Sequence, residues 1–195
     1  MTAAARPGFT ARQYLKDATA MRHRTLDAGF AMLDLRNRPD YRHFLAVQAA
    51  VLAPLEASLT RHGIQESLPD WPLRCRSDAL LDDLLALGGI PIPYDIDLPS
   101  PTTAALMGMA YVLEGSRLGA QFLARTVAAS PDAQVRDNMR FLRHGAGQRL
   151  WASFLPALES TVDAEALEDA ADGARRAFDL FLDAQRRHAP AEAGV

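Results

Sequence analysis

The stretch LKDATAMRHRTLD (residues 15–27) decides how this chain folds, because it carries apolar positions at helical spacing and sets one histidine among them. Leu15, Thr19, Leu26, Phe30 and Leu33 are separated by three, four and seven residues. Those intervals return to one side of an α-helix, whereas a strand would alternate every second residue. Thr10 followed by Gln13 is a capping-box signature, so a first helix is predicted over residues 11–36, ending in the polar turn before Pro39. His23 lies four residues after Thr19 and three before Leu26, on the same stripe, so its imidazole is expected to point inward, away from Arg22 and Arg24. Alone, such a histidine reads as a core residue satisfied by a carbonyl. Lys16, the only lysine, sits seven residues earlier, two turns along the same face, and gives the histidine a cationic companion.

About ninety residues later, YVLEGSRLGA (residues 111–120) puts glycines inside a helix that otherwise has every reason to continue. The helix is predicted to start at Ser100 as N-cap with Pro101 at its first position and to reach Ala129, before Ser130 and Pro131. Gly108, Gly115 and Gly119 fall inside it. Each glycine costs about 1 kcal/mol relative to alanine, a sizeable share of a domain's net stability when summed. Such a cost points to close approach of another helix or of a flat ligand. Helix crossing accounts for Gly108. Gly115 and Gly119, four apart, share a face with Ser116 beside them and would form a bare strip. Arg117, Gln121 and Arg125 read as a polar outer edge, and Glu114 as an exposed or ion-paired residue, given Arg117 three residues on.

The remainder supports an all-α chain packed helix on helix. A second helix is predicted over 40–63 with a kink at Pro54, then a loop over 64–76. Ser77 is expected to cap a short helix containing LLDDLLAL, stopped by Gly88 and Gly89, while IPIPYDIDLP is too rich in proline for a central strand. Later helices are predicted over 132–143, 147–160 and 163–187. One domain over 11–188, with tails at 1–10 and 189–195, suits a chain of 195 residues.

The two stretches together resemble the heme oxygenases. Thr19, His23 and Asp27 match the family's proximal-helix pattern Thr-x-x-x-His-x-x-x-Asp, and EGSRLGA (residues 114–120) matches the distal helix of the bacterial, biliverdin-producing branch. Trp151, Phe154 and Leu158 fit a later Trp-x-x-Phe-x-x-x-Leu helix, and Ala174, Phe178 and Phe181 resemble the closing helix, so the likeness spans residues 12–187. It implies a multi-helix bundle with heme sandwiched between the two stretches as both cofactor and substrate. His23 would ligate the iron with Thr19 on the same helix, and Lys16 falls on the position of a propionate-binding lysine; the alternative is a solvated lysine. Arg149 is the candidate second propionate partner, with Arg143 or Arg140 as substitutes. Gly115, Ser116 and Gly119 would form the distal wall, Ser116 standing where many members carry an aspartate. The implied reaction consumes O2 and electrons from a donor such as a ferredoxin or flavin reductase. It yields biliverdin, carbon monoxide and ferrous iron, either for iron acquisition or for a phytochrome that takes up biliverdin. The rival readings are a non-catalytic heme carrier of the same fold and a helical interaction domain without heme.

A net charge of −3, with acidic and basic residues interspersed, gives no reason to expect nucleic acid. Cys75 is the only cysteine, so no disulfide, CxxCH or thiolate cluster can form within the chain, and cytoplasm is the expected compartment. MTAAARPGFT lacks the apolar run of a signal peptide, and residues 104–113 are too short to span a bilayer, so no membrane association is expected. No Glu is followed by His three residues later, and HExxH, GxSxG, GxxxxGK[ST] and GxGxxG are absent, which removes di-iron, metalloprotease, serine hydrolase, NTPase and Rossmann readings. His43, His62, His144 and His188 read as surface residues.

Overall fold

The computed structural model describes residues 10–188; the expected tails, save Thr10, lie outside the described residues. Helix α1 (Ala11–Phe30) begins as predicted, with the Thr10 hydroxyl accepting the Gln13 amide at 3.2 Å. The Gln13 side chain turns to Asp17 instead of closing a capping box. The helix stops well short of residue 36, because the next segment has tertiary partners: the Asp34 amide donates to the Asp40 carboxylate at 2.8 Å, and the Ser130 hydroxyl donates to the Arg36 carbonyl.

Asn37 caps α2 (Arg38–Arg61), accepting the Asp40 amide at 2.9 Å, and the helix continues through Pro54. It is long and apolar enough to meet the length criterion for a membrane span, yet Phe44, Val47, Val51, Leu55 and Leu59 are buried in the core. The segment expected as a loop contains a 3-10 turn, Ile64–Glu66, and a short helix α3 (Trp71–Arg74), pinned by the Trp71 indole donating to Thr60 at 2.9 Å. Ser77 does not cap α4 (Ser77–Ala86); Arg76 holds that position, and the Ser77 amide and hydroxyl both bind Glu56. Gly88 ends the segment with φ of 73°, a left-handed conformation that glycine adopts without a Cβ clash.

Helix α5 (Thr103–Ala128) is capped by Thr102, not Ser100, the Thr102 hydroxyl accepting the Ala105 amide at 3.2 Å. The predicted 132–143 helix is two pieces, α6 (Ala133–Asp137) and α7 (Arg140–Arg143). The buried Asp83 carboxylate draws off the Phe141 amide at 2.9 Å, and the Asn138 carbonyl accepts Tyr41 at 2.9 Å, so the chain is held open between them. Helix α8 (Leu150–Thr161) starts later than expected, after Gly145 and Gly147 at positive φ. Helix α9 (Leu167–Arg187) starts after a turn in which Asp163 caps the amides of Glu165 and Ala166.

Helix α9 packs against both α1 and α5 and so fixes their spacing. Its contact with α5 is backbone to backbone: a Cβ on Gly108 would stand 1.9 Å from the Ala170 carbonyl oxygen, and one on Gly173 would stand 2.1 Å from that of Ala105. Helix crossing is thus the reason for Gly108, as its spacing implied. Alanines 170, 171, 174 and 177 continue this small-residue seam before Phe178 and Phe181 widen it. The described residues contain helices and turns and no strand.

Candidate functional site

On α1, Thr19 is buried and its hydroxyl donates to the Leu15 carbonyl at 2.6 Å, so its role is internal to the helix. His23 departs from expectation. Its side chain is 61% exposed, in T-shaped contact with Phe178 of α9, ring centroids 5.7 Å apart. The His23 Nδ1 lies 2.9 Å from the Asp27 carboxylate, one turn on. An Nδ1–H donated to that carboxylate leaves Nε2 as the ring nitrogen available to a ligand. Among the described residues no three His, Cys, Asp or Glu side chains converge. Lys16 is exposed on the same helix and forms no ion pair among the described residues.

On α5, the two motif glycines have different surroundings. A Cβ on Gly119 would meet nothing within 4 Å, whereas one on Gly115 would touch the Trp151 ring at 3.7 Å, an ordinary contact. Helix packing therefore accounts for neither glycine, and Gly119 is bare backbone at an open face. Leu118 and Phe122, four residues apart and to one side of it, are 51% and 69% exposed. Large apolar side chains left open beside a glycine form a wall that an apolar ligand would cover. Ser116 has its donor committed to the Leu113 carbonyl at 2.7 Å and also accepts from Arg76.

Behind this face lies a buried ionic cluster that the sequence reading missed. Arg117, expected on a polar outer edge, is buried: it donates to Glu114 at 2.9 Å and to the Arg74 carbonyl. Glu114 is equally buried and also accepts from Arg74 at 2.7 Å. Gln121 and Arg125 are exposed, as expected. Arg76 is buried over the Phe141 ring, 4.8 Å from its centroid, and burial and then Arg117 push its pKa down to about 10. His144, expected at the surface, is half-buried with Nδ1 3.2 Å from Arg117, and burial with the adjacent guanidiniums holds its pKa below the usual imidazole value. His43 and His188 are also half-buried; His62 is exposed. No sequence signal distinguishes Arg74 and Arg76 from solvated loop arginines. The i,i+3 spacing of Glu114 and Arg117 was readable, and only its burial was not.

A recess of about 220 Å³ opens beside α5, lined by Arg76, Arg117, Arg143, His144, Arg149 and Trp151 among others. Arg149, at the N-cap position of α8, and Arg143 are both exposed at its wall, whereas Arg140 lies 3.6 Å from Asp83. Helix α8 also reaches α1: Glu159 accepts the amides of Ala11 and Arg12, and the Arg12 guanidinium lies 5.9 Å from the Trp151 ring centre. Tyr111 completes the aromatic group, its ring centroid 5.6 Å from that of Trp151. The burial of Tyr111 raises its phenol pKa.

The described residues form an all-helical protein in which one helix carries an exposed histidine paired with Asp27 and another carries an open glycine beside exposed apolar side chains. The chain belongs to the heme oxygenase family, whose model matches residues 10–187. It is 31% identical to heme oxygenase PigA of Pseudomonas aeruginosa over 159 residues, covering 77% of this chain and 78% of that protein. It is 32% identical to a heme oxygenase of Xanthomonas campestris pv. campestris over 129 residues, covering 61% and 78% respectively. Its fold matches the NO- and CO-bound heme oxygenase of Neisseria meningitidis with a TM-score of 0.78 and 26% identity, over 96% of each chain.

Proposed function

We propose that this protein cleaves heme oxidatively, with heme as substrate between α1 and α5, giving biliverdin, carbon monoxide and ferrous iron. The observation that carries the reading is the His23–Asp27 pair at 2.9 Å on an exposed imidazole, which engages one ring nitrogen and leaves the other for a ligand. Heme, when bound, supplies the redox-active iron and the oxidisable ring. The protein's part is placement. His23 would hold the iron, and Asp27 would keep the imidazole oriented. Lys16 and Arg149 supply cations for the two propionates, Arg149 with the planar fork that binds a carboxylate at two points. Gly119 lets the α5 backbone approach the ring, with Gly115 and Ser116 extending that wall, while Leu118 and Phe122 cover its edge and exclude water. Thr19 serves indirectly, through the helix that carries His23. Dioxygen and electrons come from outside the chain, from a donor of the ferredoxin or flavin-reductase kind, in the cytoplasm. Both iron release and supply of biliverdin to a phytochrome are consistent with these products.

Hemin titration of the protein tests this placement. The account predicts a one-to-one complex whose ferrous form has an iron–imidazole stretch in resonance Raman spectra. In His23→Ala that band should vanish and return on adding free imidazole. An unchanged band in His23→Ala would overturn the assignment of the ligand.

A further inference from the structure

The guanidinium of Arg74 uses all five of its N–H groups. Nε and Nη2 grip both oxygens of Asp70 at 2.7 Å, and Nη2 also donates to the Ser153 hydroxyl at 2.9 Å. Nη1 donates to Glu114 at 2.7 Å and to the Leu150 carbonyl at 2.8 Å. Glu114 belongs to α5, whereas Leu150 and Ser153 form the first turn of α8. One side chain thus joins two helices across sequence separations of 40 and 76 residues. The joint sits at the edge of the candidate site: Glu114 immediately precedes Gly115, and Leu150 immediately precedes Trp151, whose ring would touch a Cβ on Gly115 at 3.7 Å.

Burying this cluster costs desolvation that a well-packed apolar contact would avoid, so stability alone gives weak grounds for it. Its distinguishing property is direction: a planar fork fixes angles as well as distances, and apolar packing does not. We infer that Arg74 is a positioning residue that sets Trp151 against Gly115 and thereby decides how the porphyrin is seated and which of its edges is attacked. This rests on the heme reading above. Arg74 itself touches no ligand; it acts through Glu114 on one helix and through Leu150 and Ser153 on the other.

Two variants test it. R74K keeps the charge but replaces the fork with three rotating donors, and S153A removes one tie to α8 without disturbing a buried charge. Both are compared with wild type by the ratio of biliverdin isomers and by fluorine NMR of the ligand-free, 5-fluorotryptophan-labelled protein. The chain's two tryptophans give two resonances, and Trp151→Phe assigns them. The isomer ratio should change by about two- to tenfold in R74K, the range that one net hydrogen bond is worth, and by less in S153A. The Trp151 resonance should shift in both, while the iron–imidazole band stays in place. A merely structural role would lower the melting temperature and leave the isomer ratio and that resonance alone. Wild-type values of both would overturn the inference, and since Ser153 is exposed, S153A decides the matter if R74K does not fold. Should wild type make no biliverdin, the heme reading fails, while the resonance in the ligand-free protein still accepts or rejects the joint.

Discussion

Gly108→Ala and Gly119→Ala should change stability in opposite directions, though the two substitutions are chemically identical and lie on one helix. At Gly119 the new methyl meets open space, so the helix gains about 1 kcal/mol from alanine's higher propensity, a rise of roughly 2–4 °C in melting temperature. At Gly108 the methyl would stand 1.9 Å from a backbone oxygen of α9, which cannot rotate away. Overpacking of that kind costs about 1–3 kcal/mol or more, so the propensity gain should be outweighed and the melting temperature should fall. Thermal denaturation of both ligand-free variants checks the pair; a stabilised Gly108→Ala would contradict the crossing. Their roles could be separated in the sequence by position along the helix: Gly108 shares the face of Gly115 and Gly119 but stands outside the motif that holds them. The exposure of His23 could not. Periodicity says which residues share a side, but whether a neighbour covers that side depends on what packs there, and Phe178 makes only a T-shaped contact with the His23 ring.

The elements themselves were readable from helical period, while their ends were less so. Helix ends depend on partners that sequence proximity does not reveal: Ser100 is by type the better cap, yet it is Thr102 that accepts an amide, that of Ala105. The split between α6 and α7 has the same origin, in a carboxylate on α4. Asp83 is fully buried, with one oxygen accepting the Phe141 amide and the other without a hydrogen-bond partner. Burial raises its pKa above the ordinary aspartate value, against the opposing effect of the Phe141 and Arg140 amides and the Arg140 charge. A carboxyl whose folded-state pKa is raised contributes stability that is fully present below its unfolded value. That contribution is lost as pH rises through the folded value. Burial acts in the same direction on Glu56. Asp83→Asn keeps an acceptor for the Phe141 amide and cannot ionise. Its melting temperature relative to wild type should therefore improve as pH is raised from 4 towards 7. A relative stability that worsens over that range would show that the Arg140 pair outweighs burial.

Across the whole molecule, the all-α bundle followed from the helical period of the sequence, whereas the buried ionic cluster did not. A buried arginine is recognisable only through its partners, and those of Arg74 lie on helices that begin far along the chain. Arginine in a proline-containing loop reads by default as solvated. The fold holds α1 and α5 apart on α9 and leaves His23 and Gly119 exposed, and the central claim is that heme is consumed there as substrate. Aerobic reduction of the hemin complex, followed by absorption with no other protein present, tests that claim most directly. The account predicts that the Soret band decays while the broad red absorption of biliverdin grows, with carbon monoxide released in equal amount, and that the same reductant without oxygen leaves the porphyrin intact. A complex that is reduced and reoxidised with its Soret band undiminished would contradict the account and make the protein a heme carrier.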